Sequence, residues 1–247
     1  MTTPSDPANY FDEDVAATYD ADVAAMSAPA VLGPTVDVLE GLAGDGAALE
    51  LAVGTGRVAV PLAARGVPVH GIELSEAMVA QLRANDPGGT VGVTVGDMTA
   101  TRVPGTFRVV YLVFNTVANV TTQEGQVACF RNAAAHLEPG GCFVVENGVP
   151  QLQRLPLGER FVPFEVTPEH LGFDEYDVVT QRMWSHHYRP HEGRSMSVPF
   201  RYAWPAELDL MAQLAGLRLR DRWAGFDRSP FTATSPSHVS VWEKPVP

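Results

Sequence analysis

Lysine is almost absent from this 247-residue chain: of its seventeen basic residues sixteen are arginine, and Lys244 is the exception. The bias reads as genome composition. Basic residues of either kind are outnumbered, 17 against 29 acidic ones, which leaves a formal charge of −12 with histidine neutral. The deficit is sharpest at the start, where residues 1–56 hold ten acidic side chains and no Lys or Arg. Such a field repels a polyanion over most of the surface, so DNA and RNA are poor first expectations. Cysteine is limited to Cys129 and Cys142, whose spacing suits neither a metal site nor a redox pair. Both read as packing residues in a reducing compartment. No run of about eighteen apolar residues escapes interruption by a charge, Gly or Pro, so no membrane span is expected. The opening MTTPSDPANYFDEDV has neither the basic region nor the apolar core of a secretory signal. A cytoplasmic protein is the expectation.

What the chain does have is apolar substance. With 45% apolar and 19% charged residues it can bury a sizeable core, and its length suits one domain with an elaboration. Short apolar strands at 47–53, 67–72, 91–95, 107–114 and 142–146 alternate with helices at 57–65, 75–84 and 122–137, which signals a parallel sheet covered on both faces. After residue 148 the alternation breaks. Two β-rich runs, 176–188 and 195–203, flank a hairpin turn at 189–194. A helix over 205–215 and strands at 217–223 and 238–244 complete the pattern. The expected fold is α/β: a Rossmann-like, doubly wound, seven-stranded sheet with its last strand antiparallel. An N-terminal helical lid (1–40) precedes the core (41–147), a β-rich substrate-covering insertion (148–204) follows strand five, and 205–247 returns to the core.

The chemistry is written where the first strand ends, in Glu50-Leu51-Ala52-Val53-Gly54-Thr55-Gly56-Arg57. Small residues there let a ligand approach the backbone at the carboxyl edge of the sheet. The glycines alone also satisfy a dinucleotide fingerprint, so a nicotinamide-dependent oxidoreductase is the first alternative. Glu50 opposes it. A carboxylate at the end of a buried strand is costly unless a cation meets it, and it repels a pyrophosphate. Glu73, at the end of the second strand, can accept both hydroxyls of a ribose. Asp97, after the third, can accept from an adenine amino group, with Met98 against the ring. A cation-bearing amino acid joined to adenosine, without phosphate, describes S-adenosylmethionine.

These residues also carry a resemblance. The segments Glu50 to Gly56, Ile72-Glu73-Leu74-Ser75, Gly96-Asp97-Met98 and Leu137-Glu138-Pro139-Gly140-Gly141 resemble the motifs of class I S-adenosylmethionine-dependent methyltransferases, particularly small bacterial ones that modify metabolites and natural products. Ala52 departs from the glycine most common in that family. The resemblance implies that backbone at Ala52, Val53, Gly54 and Gly56 passes the methionine portion and that Glu50 receives its ammonium. It further implies that Glu73 holds the ribose, Leu74 and Met78 flank the adenine, and Phe114 faces the sulfonium. Arg57 either pairs the methionine carboxylate or is a solvated first-turn side chain. Tyr19 is expected to close over the methionine end as part of a lid; Asp12-Glu13-Asp14 reads as a solvated face.

The acceptor, a small molecule methylated on O or N, belongs at the same edge, roofed by the insertion. Asn115 after the fourth strand and the histidines of the insertion are the candidate catalytic groups there. His186 and His187 lie on opposite faces of their strand, so one of them faces inward, and histidine titrates near neutral pH. Either is a base or a structural imidazole. No metal is expected, since no Cys or carboxylate spacing accompanies the histidines. A monomer or homodimer is expected, and a non-catalytic cofactor-binding domain is the second alternative.

Overall fold

The computed structural model describes residues 10–246. The described residues open with two helices, α1 (Glu13–Asp22) and α2 (Pro29–Ala43), and then alternate: β1 (Ala48–Leu51), α3 (Ala59–Ala64), β2 (Val69–Glu73), α4 (Glu76–Asn85), β3 (Val91–Val95), β4 (Phe107–Leu112), α5 (Gln123–His136) and β5 (Leu137–Gly148). Four strands follow without a long helix between them: β6 (Phe161–Val166), β7 (Leu171–Asp177), β8 (Arg182–Arg189) and β9 (Arg194–Arg201). The chain ends with α6 (Pro205–Leu214), β10 (Arg218–Trp223) and β11 (Ser237–Glu243).

The seven-stranded sheet runs β10-β11-β5-β4-β1-β2-β3. The links β5-β4-β1-β2-β3 are parallel, while β11, between β5 and β10, is antiparallel to both. Parallel strands need helical crossovers, which bury both faces. One face packs Val36, Leu39, Ala59, Leu62 and Leu82 from α2, α3 and α4. The other packs Cys129, Phe130, Ala133, Leu208 and Met211 from α5 and α6. Helix starts follow local chemistry: Asp12, Ser75 and Thr122 cap α1, α4 and α5 by accepting from backbone N–H groups of the first turn, and Pro205 opens α6. Among the described residues no helix is long and apolar enough to cross a membrane.

Residues 161–201 form a second, wholly antiparallel four-stranded sheet, β6-β7-β8-β9. The expected strand over 176–188 is two strands. Asp177 Oδ1 accepts from Val179 N at 3.0 Å, its Oδ2 from the Thr180 hydroxyl, and Gln181 adopts φ 56°, so the chain reverses inside a Val-Val-Thr run that reads as β. Strand β6, interrupted by Pro163, was not expected at all. The first crossover helix starts at Ala59 rather than Arg57, because residues 54–57 are spent on the turn. The inserted sheet is anchored at Arg201, which is 5% exposed and bonds Glu207 of α6 at 2.7 Å and Gln126 of α5 at 2.6 Å.

Candidate active site

Strand β1 ends in a sharp turn. Ala52 takes φ 56° and Gly54 φ 57°, both left-handed. For an alanine that conformation costs roughly 1–2 kcal/mol, a local strain of the kind found at ligand sites. Gly56, at φ 83°, has no room for a side chain: a Cβ there would lie 2.9 Å from Val60 and 3.1 Å from Leu82. A second strained pair stands where β4 leaves the sheet, Phe114 at φ 60° and Asn115 at φ 59°.

Two carboxylates converge on the first turn. Glu50 is 3% exposed and stands in register with Gly71 of β2 and Tyr111 of β4. The Tyr111 hydroxyl donates to Glu50 Oε2 at 2.9 Å. Burial pushes the Glu50 carboxyl up to about 8, against the opposing effects of Tyr111, Arg57 and the Ala59 backbone. Glu73 is likewise buried, accepting from Gly54 N at 2.8 Å and Ser75 N at 2.9 Å; burial raises its pKa while these amides lower it. Met78, buried in α4, lies beneath Gly54 with Cε 3.6 Å from where a Cβ would stand. Leu74 is exposed beside Glu73. Asp97 Oδ1 accepts from Thr99 N at 2.7 Å, and Met98 is half-buried against the α5 side of the core.

Helix α1 lies across this edge. Asp20 accepts from the Thr55 hydroxyl at 2.6 Å and from Asn85 Nδ2 at 2.9 Å, and the Ser75 hydroxyl donates to the Phe11 carbonyl. Tyr19 is half-buried with its ring edge-on to Phe11; burial raises its pKa, Arg57 lowers it, and Glu73 and Glu50 raise it further. Arg57 places its guanidinium 5.1 Å over the Phe114 ring and donates to the Met26 carbonyl at 3.1 Å. Asp12 caps α1, and Asp12, Glu13 and Asp14 are exposed.

The inserted sheet covers the exit of β4. Strand β9 packs against residues 116–119, and Arg189 of β8 reaches Asp22 of α1 at 3.6 Å. Arg189 shares a face with His187, Ser185 and Met183, so that face turns toward α1. His186 lies on the other face, between Ser197 Oγ at 2.7 Å and Glu175 Oε2 at 3.2 Å, with its ring stacked on Phe173. Asn115 is exposed, and its Oδ1 accepts from Gly148 N, tying the ends of β4 and β5 together. Among the described residues no three His, Cys, Asp or Glu side chains cluster as metal ligands do.

Several of these partners escaped the sequence reading. Tyr111 is a lone hydroxyl in the apolar run 107–114, which is the signal that could have exposed it. Asp20 and Asn85 offer no comparable signal, because their partners are distant in the chain.

Residues 48–141 match the family described as a methyltransferase domain. Over 86% of this chain and 89% of the other, the fold superposes on the CcbJ methyltransferase from Streptomyces caelestis at 38% identity and a TM-score of 0.77. The chain belongs to the class I S-adenosylmethionine-dependent methyltransferases. This methyltransferase is also 28% identical to the cypemycin N-terminal methyltransferase of a Streptomyces species, over 97% of its own length and 99% of the relative's. Its fold resembles that of S-adenosylmethionine-bound CalS10, an amino pentose methyltransferase from Micromonospora echinaspora, at 23% identity, 86% and 89% coverage and a TM-score of 0.65.

The donor set fits this cofactor. Buried carboxyl groups at Glu50 and Glu73 suit a ligand with an ammonium and a ribose. They do not suit the diphosphate of a nicotinamide dinucleotide, and the oxidoreductase alternative is not favoured.

Proposed function

We propose that this methyltransferase transfers the methyl group to an amine nitrogen of a small natural-product-type metabolite, in the cytoplasm, as a monomer or homodimer and without a nucleic-acid partner. The observation that carries the choice of nitrogen is the full-length likeness to a relative named for N-terminal methylation. An amine needs only a free lone pair, whereas a hydroxyl calls for a general base throughout the transfer.

S-adenosylmethionine supplies a carbon already activated by its positive sulfur; the chain has to bind, align and exclude water. In this reading Glu50 receives the amino-acid ammonium and the backbone from Ala52 through Val53 and Gly54 to Gly56 passes the methionine portion. Glu73 holds the ribose, with Leu74, Met78, Asp97 and Met98 about the adenine. Phe114 faces the sulfonium once Arg57, now over its ring, has moved away. Arg57 then turns to the methionine carboxylate. Residues 1–40, of which 1–9 lie outside the described residues, act as the lid, with Tyr19 its closing side chain, and 148–204 as the acceptor cover. His187, on the inward face, is the acceptor-side base; Asn115 sets the shape of the β4 exit, and His186 holds the sheet.

Isotope-labelled donor offered with a panel of small amines and phenols tests the reading. Label on nitrogen is the expected outcome; label on oxygen alone overturns it. Calorimetry with S-adenosylhomocysteine and with NAD(H) checks the cofactor half separately, binding of the first alone being expected.

A further inference from the structure

The carboxyl edge of the sheet carries a third acid, used by neither the glycine turn nor α1. Glu146, near the end of β5, is half-buried, and its Oε2 accepts from Phe114 N at 2.9 Å. Among the described residues its Oε1 has no hydrogen-bond partner, and no Arg, Lys or His pairs with the carboxylate. Its neighbour in register on β11 is Val239, which offers only an apolar side chain. An ionised carboxyl can accept about four hydrogen bonds. One held partly out of water by a single amide is costly unless a cation meets it.

Strand register shows which cation can reach it. Glu50 stands beside Tyr111, and Tyr111 beside Val144. Glu146 lies two residues further along β5, so its side chain leaves the same face of the sheet as Glu50, nearer the carboxyl edge. Strand spacing and rise put the two Cα atoms roughly 12 Å apart. Between β1 and β5 lies β4, and it leads into Phe114, at φ 60°, whose ring is the proposed sulfonium face. A sulfonium there has one carboxylate on either flank.

We infer that Glu146 binds the methyl acceptor: its carboxylate takes an N–H of a protonated primary or secondary amine and holds that nitrogen beside Phe114, where the donor's methyl group arrives. The inference rests on the amine reading above and on Glu50 at the donor's ammonium. Two carboxylates of one sheet face thus serve two ammonium groups, one from each substrate.

The same carboxyl braces the exit of β4. By accepting from Phe114 N it holds that residue in its left-handed conformation, while Asn115 Oδ1 accepts from Gly148 N one step further on. The ring that faces the sulfonium and the carboxylate that faces the acceptor are therefore fixed to each other. An alcohol of the same skeleton brings no charge and leaves the carboxylate uncompensated, so it is disfavoured. Glu146 selects nitrogen over oxygen by charge, before any base acts.

Glu146→Gln tests this, because its amide oxygen can keep the bond from Phe114 N while the charge is lost. The probes are the amine that the labelled panel shows to be methylated and the alcohol of the same skeleton, the latter as a competitive inhibitor of the full chain. Thermal melts check folding. The variant is expected to raise KM for the amine roughly 10- to 100-fold, as loss of a charged hydrogen bond does. Its kcat at saturating amine, its S-adenosylhomocysteine affinity and the inhibition constant of the alcohol should stay within about threefold of wild type. In the wild type itself the amine should bind at least about tenfold tighter than the alcohol. An unchanged amine KM, an alcohol that loses as much affinity as the amine, or a wild type that binds both equally overturns the anchor while N-methylation stands. A wild type that labels only oxygen overturns the amine reading and the anchor together.

Discussion

Tyr111 and Glu50 face each other across neighbouring parallel strands, with the phenol donating to the carboxyl at 2.9 Å and both residues buried. Because burial holds Glu50 at about 8, against an ordinary value of 4.5, the free protein keeps a proton there at neutral pH. A folded-state pKa raised above the unfolded one contributes stability below pH 4.5 that is lost as pH climbs through about 8. An ammonium brought to this carboxyl expels the proton. Calorimetry of S-adenosylhomocysteine at pH 7 in buffers of different ionisation enthalpy should therefore register proton release. Glu50→Gln should abolish the buffer dependence, weaken binding roughly 10- to 100-fold through loss of a charged hydrogen bond, and flatten the fall in melting temperature between those two pH values. An enthalpy independent of buffer in the wild type would contradict the assignment.

Glu73 braces the turn by accepting from Gly54 N and Ser75 N, and in the proposed function it also presents its carboxyl to the ligand. Glu73→Ala should weaken cofactor binding at least tenfold, a loss of about 1.5 kcal/mol or more. His187→Ala, on the inserted sheet, should leave it nearly unchanged. Equal cofactor affinity in wild type and Glu73→Ala would remove Glu73 from the site.

The bonds from Thr55 and Asn85 to Asp20 tie α1 to the glycine turn. Asp20→Ala removes both, at a cost of about 1 kcal/mol for such partly exposed bonds. Stopped-flow measurement should show the cofactor product leaving several-fold faster, and limited proteolysis should cut α1 sooner. Unchanged release would mean that the helix does not gate the ligand.

Two small residues of the same turn should respond oppositely to exchange. Gly56→Ala puts a methyl group against Val60 and Leu82 at a left-handed position and should lower stability by about 1–3 kcal/mol. Ala52→Gly relieves a left-handed alanine but frees the unfolded chain, two effects of about 1 kcal/mol that offset each other. Its melting temperature should stay close to wild type. Chemical denaturation of both variants compares them directly.

Periodicity and turn chemistry made the core readable in advance. Apolar runs bounded by glycine marked β1, β2, β3 and β4, and Ser75 and Thr122 marked helix starts, since strand burial and N-capping are local requirements. The acid before the glycine turn was legible for the same reason: one strand carried it to a known edge. The inserted sheet was less legible. Its reversal at 178–181 depends on Asp177 bonding the backbone inside a β-prone run, and β6 contains a bulge at Pro163–Glu165 that brings both Phe164 and Glu165 to His170.

By itself, then, the order of residues determined the doubly wound sheet, the glycine turn and the carboxyl groups at its rim, because each follows from spacing of a few residues along one strand or helix. Only the tertiary structure decided which partners those groups keep. Tyr111 meets Glu50 through the β1–β4 register, Asp20 meets Thr55 because α1 lies over the edge, and His187 rather than His186 shares the face turned toward α1 because Arg189 of that face pairs with Asp22. Contacts between segments 30 to 170 residues apart depend on how layers pack, and no local pattern in the chain encodes them.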